Sequence, residues 1–427
     1  PQSALMVNGP SASSVFLGEA LRKLGVEVDV ARVGKYKSAP EQLTRDDMSD
    51  AEREMLDAYL DSVFPRFLET VAAGRKMPVD KLREALDRGV LSAQQAKDAG
   101  LVDELLYPDE LPDRLRALEG GSIDLERSFP EPVTFPRRWG TRPKIAVIGI
   151  EGMITSGPSS PGLFDGPTAG AQTITESLQK ALADDSIAAV VLRIDTGGGS
   201  SLASDLIWRA VRKVRERKPV VVSMGELAAS GGYYVAAAAD EILAEPATIT
   251  GSIGVFAVKP SFGPLLDKLG INPVTLKRGR SADLFSLSRP WTEAELEAVQ
   301  RTVDESYQLF LDRVAQGRNL DKARVDELGR GRIWSGASAV ELGLVDALGG
   351  LSEAIARAKS RAGLAGRETD VEVIGSKGEL LQLSLLGSQE RAALRKLLAA
   401  SGLGAGAALL DLPAEPLAIV PWMLEVR

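Results

Sequence analysis

Residues 187–224 read IAAVVLRIDTGGGSSLASDLIWRAVRKVRERKPVVVSM. IAAVVLRID (187–195) is an apolar, β-branched run that suits a strand buried on both faces. A glycine turn follows, then a helical stretch from about Ser201, then a second apolar run, PVVVSM (219–224). Upstream, KIAVIGIEGMI (144–154) has the same strand character, and downstream a helix is expected after Ser230. Strands alternating with helices predict an α/β fold with a largely parallel sheet.

The chain also repeats itself. LRKLG (21–25) returns as LDKLG (266–270), FLETVAAGR (67–75) as FLDRVAQGR (310–318), and GLVDEL (100–105) as GLVDAL (343–348). The last two pairs share one spacing of 243 residues, which chance matches do not hold. Long amphipathic helices are expected at matching positions, 51–75 and 292–318. Pro1 answers to Pro246, and the chain opens without a Met. The first copy is therefore expected to lack roughly a hundred N-terminal residues, as in a fragment or processed form. The organisation read from these features has four parts: 1–127, the C-terminal part of a first repeat; 128–143, a Pro-rich linker; 144–365, the second repeat; and 366–427, an extension with a strand, a helix and GLGAGAAL (402–409).

Composition narrows the chemistry. With 427 residues, 44% hydrophobic and 26% charged, the chain has material for two domains and a packed core. Its net charge of −8 argues against a nucleic-acid partner. No apolar run is long enough to span a bilayer. There is no Cys and no His. That removes thiol catalysis, disulfides, the Ser-His-Asp triad and most zinc sites. No metal or cofactor is expected. A serine nucleophile here would need Lys, Asp, Glu or Tyr as its base, and a desolvated Lys is the attested choice.

Three stretches of the second copy stand out. RIDTGGGSSLASD (193–205) runs from strand through glycines into helix, a turn whose amides can hold an anion. It is not a dinucleotide fingerprint, since Leu202 sits where the last Gly belongs. MGELAASGGYYVAAAAD (224–240) sets Ser230 among small residues before a helix. EPATITGSIGVF (245–256) contains Ser252. Taken singly, these read first as a packing turn, a helix cap and a turn residue. The first copy contributes RVGKYKSAPE (32–41), whose counterpart is KRGRSADLF (277–285). Ser38 answers to Ser281, so Lys37 faces Arg280, which cannot act as a base. Val7 occupies the place of Ser252. By itself Lys37 would be a solvated charge. SLQK (177–180) has the Ser-x-x-Lys spacing but no companion motifs, and is set aside.

Together, Ala-Ser-Gly-Gly with a following aromatic, Gly-Gly-Gly-Ser after a strand, Thr-Gly-Ser-Ile-Gly and Tyr-Lys-Ser-Ala resemble the signal peptide peptidase A family of serine peptidases, in its long, two-repeat bacterial form. The resemblance spans essentially the whole chain. It implies two tandem Clp-protease/crotonase-like units, the first truncated here. It implies Ser230 as nucleophile, Lys37 as general base, Ser252 as the group that holds the lysine, and the Gly199 and Gly231 backbone amides as oxyanion donors. It further implies hydrophobic, unfolded peptide substrates, notably cleaved signal peptides, and a homotetrameric bowl. An N-terminal inner-membrane anchor, absent from this chain, would leave the catalytic body outside the cytoplasm. One departure is Gly197, where the family often has Pro. Two rival readings are a crotonase-like acyl-CoA enzyme, which would need neither Ser230 nor Lys37, and a pseudopeptidase scaffold.

Overall fold

A computed structural model describes residues 3–121, 142–162 and 166–375, and the backbone of 417–419. Most of the expected linker, residues 163–165 of the loop at 157–167, and the helix and Gly/Ala-rich run of the extension lie outside the described residues. The chain divides into two compact units, residues 1–12, 60–141 and 424–427 in one and 13–59 and 142–423 in the other. The larger unit thus contains both the Tyr-Lys-Ser-Ala segment and the Ala-Ser-Gly-Gly segment.

The larger unit is mixed α/β. Its main sheet runs in the order Ile333–Ser335, Ile249–Gly251, Val220–Ala229, Ile187–Thr196, Lys144–Glu151, Asp370–Ile374. All neighbours on that path are parallel except the first pair. Glu241–Ala244 pairs with Val220–Ala229 as well, and Ala347–Leu348 with Glu241–Ala244. The apolar runs are continuous because both faces are covered. Ala146, Ile148, Val190, Leu192 and Val222 meet the helices Ala171–Ala183 and Ser201–Arg215. Their neighbours Ile145, Val147, Val191 and Val221 meet Ala354 and Ala358 of the helix Leu351–Arg361 on the other face. Each Val, Leu or Ile among them, fully buried, contributes about 1.5–3 kcal/mol.

A second sheet orders Glu27–Arg32, Phe256–Ser261, Leu417–Ile419, Gly198–Ser200, Met153–Thr155 and Thr168–Gly170. In it the leading copy's Glu27–Arg32 pairs antiparallel with Phe256–Ser261, Arg32 opposite Phe256. That ladder fixes where the following lysine loop falls. The expected strand 219–224 runs on to Ala229, so Ser230 sits at its very end.

In the smaller unit, Ala4–Met6 pairs antiparallel with Val90–Ser92, and Leu68, Ala72, Leu82 and Leu86 form a core with Val7 and Phe64. The helix Ala93–Asp98 starts with a capping box in which the Ser92 hydroxyl accepts from the Gln95 N–H and the Gln95 side chain from the Ser92 N–H. Helix, strand and helix at Asp50–Arg75, Val90–Ser92 and Ala93–Asp98 recur at Glu293–Arg318, Ile333–Ser335 and Gly336–Glu341 with the 243-residue spacing kept at every boundary.

Candidate active site

Ser230 ends the strand Val220–Ala229 and precedes the helix Gly231–Ala236. Its backbone has φ 52° and ψ −112°, a conformation that side-chain-bearing residues rarely adopt. Two hydrogen bonds impose it: the Ser230 N–H donates to the Gly251 carbonyl at 2.8 Å, and the Tyr234 N–H to the Ser230 carbonyl at 2.8 Å. Ser230 stands at the helix cap position, yet its hydroxyl caps nothing. The side chain is left for another partner.

That partner is Lys37. The Lys37 Nζ lies 2.7 Å from Ser230 Oγ, 3.1 Å from Ser252 Oγ and 3.1 Å from the Ser252 carbonyl oxygen. Lys37 and Ser230 are 0% exposed and Ser252 1%. Burial holds the Lys37 amine well below its ordinary value of 10.5. A neutral amine has two N–H bonds and one lone pair. The Ser252 carbonyl can only accept, so it takes one N–H. With the Ser252 hydroxyl taking the other, the lone pair remains for the Ser230 O–H.

The lysine loop is held from several sides. The Val33 N–H donates to the Val255 carbonyl at 3.0 Å and the Tyr36 N–H to the Arg330 carbonyl at 3.0 Å. Arg32 Nη1 donates to the Lys37 carbonyl at 3.2 Å and to Glu41 Oε1 at 2.7 Å. Gly331, at φ 83°, lies so close that a Cβ there would sit 2.4 Å from the Lys37 nitrogen. Ser252 also has positive φ, 49°, fixed by its N–H donating to the Arg332 carbonyl at 2.7 Å.

Gly199 is the middle residue of Gly198–Ser200, where a Cβ would meet the Ile154 carbonyl at 1.9 Å. The Ser200 hydroxyl accepts the Ala203 N–H at 3.1 Å and caps the next helix, so the glycine turn is also a packing turn. A Cβ on Gly232 would lie 2.7 Å from Thr196 Cγ2, which puts the start of the glycine turn beside the Ser230 helix. Across Gly198–Ser200 runs Leu417–Ile419, antiparallel, with Ala418 opposite Gly199. Gly231 opens the helix, where the first N–H groups have no intrahelical acceptor. Elsewhere, Arg280 is exposed, and Ser177 of SLQK donates within its own helix to the Thr173 carbonyl at 2.8 Å. Among the described residues no group of three or more carboxylates is placed to hold a metal ion, and no helix is long and apolar enough to cross a membrane.

Residues 1–121 and 212–365 match the model of peptidase family S49. The chain belongs to that family. It is 35% identical over 376 residues to the Arabidopsis thaliana protein named serine protease SPPA, chloroplastic, covering 85% of this chain and 55% of the relative. It is 33% identical to Protease 4 of Haemophilus influenzae, covering 83% and 59%, and 33% identical to Protease 4 of Salmonella typhi, covering 85% and 60%. The chain thus spans between 55% and 60% of the length of these relatives. Two residues of this S49 chain that shape the site escaped the sequence reading, Gly331 and Arg332. Both lie in GRGRIWSG (329–336), whose only local signal is a pair of glycines flanking an arginine.

Proposed function

We propose that this chain is a serine endopeptidase in which Ser230 attacks and Lys37 is the general base. The observation that carries the reading is the 2.7 Å contact between Lys37 Nζ and Ser230 Oγ, both fully buried. The neutral amine takes the Ser230 proton as the oxygen attacks a peptide carbonyl. Ser252 orients the amine through its hydroxyl and carbonyl. The Gly199 and Gly231 amides receive the oxyanion, and one such donor is worth about 3–4 kcal/mol. The resulting ammonium returns the proton to the leaving amine, and water then releases the acyl group by the same route.

An extended segment, Leu417–Ile419, already lies antiparallel along Gly198–Ser200, and an extended substrate would take that place. Hydrophobic, unfolded peptides, with signal-peptide remnants foremost, are the substrate class we assign. The recurrence of elements at one spacing supports two tandem units of one Clp-protease/crotonase-like fold, divided as 1–127, 128–143, 144–365 and 366–427. We place the working enzyme in a homotetramer, anchored at the inner membrane by a segment outside this chain, with its body outside the cytoplasm. No nucleic acid and no cofactor enters the scheme.

The test is hydrolysis of an apolar fluorogenic peptide together with fluorophosphonate labelling. Ser230→Ala and Lys37→Arg should each lower kcat by about 10³-fold or more, with far-UV circular dichroism unchanged. Hydrolysis at the parental rate by either folded variant overturns the assignment.

A further inference from the structure

The site rests on two pieces of chain far apart in sequence, the loop that carries Lys37 and the turn that carries Ser252. One residue binds both. The Arg332 carbonyl accepts the Ser252 N–H at 2.7 Å, the bond that holds Ser252 at φ 49°. The Arg332 guanidinium reaches the other piece: Nη1 donates to Tyr36 Oη at 2.9 Å and to Glu54 Oε1 at 2.9 Å. Tyr36 Oη in turn donates to Glu54 Oε1 at 2.6 Å, closing a three-membered set. The guanidinium carbon lies 4.8 Å from the Tyr36 ring centre and 4.7 Å from the Trp334 ring centre. A flat cation lying against two rings while one of its nitrogens donates is what a guanidinium offers and a compact ammonium does not. Tyr36 immediately precedes Lys37 and is itself buried.

We propose that Arg332 is a positioning residue for the catalytic base, setting where the Lys37 amine stands between Ser230 and Ser252 and keeping water from it. The inference rests on the Ser230–Lys37 reading. The groups bonded to the amine itself are uncharged, the two serine hydroxyls and one carbonyl. The charged groups gathered at Tyr36 are Arg332, Glu54 and Lys35, whose Nζ is 4.4 Å from the ring centre and 3.5 Å from Glu54. On the Lys37 loop's other flank stand Arg32 and Glu41. Loosening Tyr36 admits water to the amine, and hydration favours the ammonium. The base then needs a higher pH to act.

The experiment compares the parent with Arg332→Ala, Arg332→Lys and Tyr36→Phe. It measures kcat and KM on an apolar fluorogenic peptide from pH 6 to 10, with active sites titrated by fluorophosphonate. For Arg332→Ala, kcat per labelled site at pH 7 should fall about 10- to 100-fold with KM within about twofold. The acid limb of the kcat profile should move up by about one pH unit. Tyr36→Phe keeps the ring but loses the hydroxyl link, so its limb should move the same way by less. Arg332→Lys should restore under half of the lost kcat. A role in folding alone would lower the labelled fraction and leave kcat per site and the limb where they are. That result, from Arg332→Ala or, should it not fold, from the other two variants, overturns the proposal. It leaves the dyad reading standing, since that falls only with an active Ser230→Ala or Lys37→Arg.

Discussion

Lys37 is an amine folded away from water, and that has a thermodynamic cost. In the unfolded chain it is protonated up to its ordinary value of 10.5; in the native protein burial holds it well below. Between those two values the unfolded state binds a proton that the native state does not, so native stability rises with pH across that window. At neutral pH the amine is therefore held against its preference, a cost consistent with the catalytic role proposed for it. Replacing Lys37 by Met, of similar length and no charge, should remove this dependence. We expect a Tm higher by about 2–4 °C for each kcal/mol recovered, together with loss of hydrolysis. Calorimetry on parent and variant across the pH range checks both. A variant less stable than the parent at every pH would mean the amine stabilises the fold.

At the level of elements, the site depends on close approaches between loops. Gly331 joins positive φ to a backbone contact with Lys37 that no Cβ can share. Gly331→Ala should cost about 1–3 kcal/mol of stability, read from urea midpoints, and should lower kcat more than its stability loss accounts for. Unchanged hydrolysis would show that the loop tolerates displacement. These contacts mark the boundary of what could be read from residues alone. IAAVVLRID and PVVVSM announce buried parallel strands because both of their faces are apolar, and the two long helices announce themselves by their period. The spacing of the repeats set Lys37 against Arg280 before any coordinates. The positive φ of Ser230 and Ser252 was not legible, since each is tied to a carbonyl of another segment, that of Gly251 for one and that of Arg332 for the other. Nor was Arg332, whose ring partner Tyr36 lies near the other end of the chain. Local patterns report on neighbours in sequence, and this site is assembled from neighbours in space.

At the scale of the whole molecule, one carboxylate makes stability fall as pH rises. Glu52 is fully buried; its Oε1 accepts from Ser14 Oγ at 2.8 Å and its Oε2 has no hydrogen-bond partner among the described residues. Burial, with the charge of Glu41 adding to it and Ser14 opposing, pushes its pKa up from 4.5 to about 7. A raised carboxyl means the native state keeps a proton that the unfolded state has lost, so its contribution is present below about 4.5 and disappears as pH rises through about 7. Glu52→Gln should flatten urea midpoints over that window. An unaltered slope would assign the effect to other groups.

The pairing of Glu27–Arg32 with Phe256–Ser261 carries a further consequence, for the birth of the protein. Chains emerge from the ribosome N-terminus first, at about 5–20 residues per second. The lysine segment is made early, but its seat is completed by Gly331 and Arg332, made late. Until then the proposed base has no dry pocket and the proposed nucleophile no proton acceptor. On the proposed mechanism, a half-made chain is thus chemically silent toward the other unfolded polypeptides that surround it.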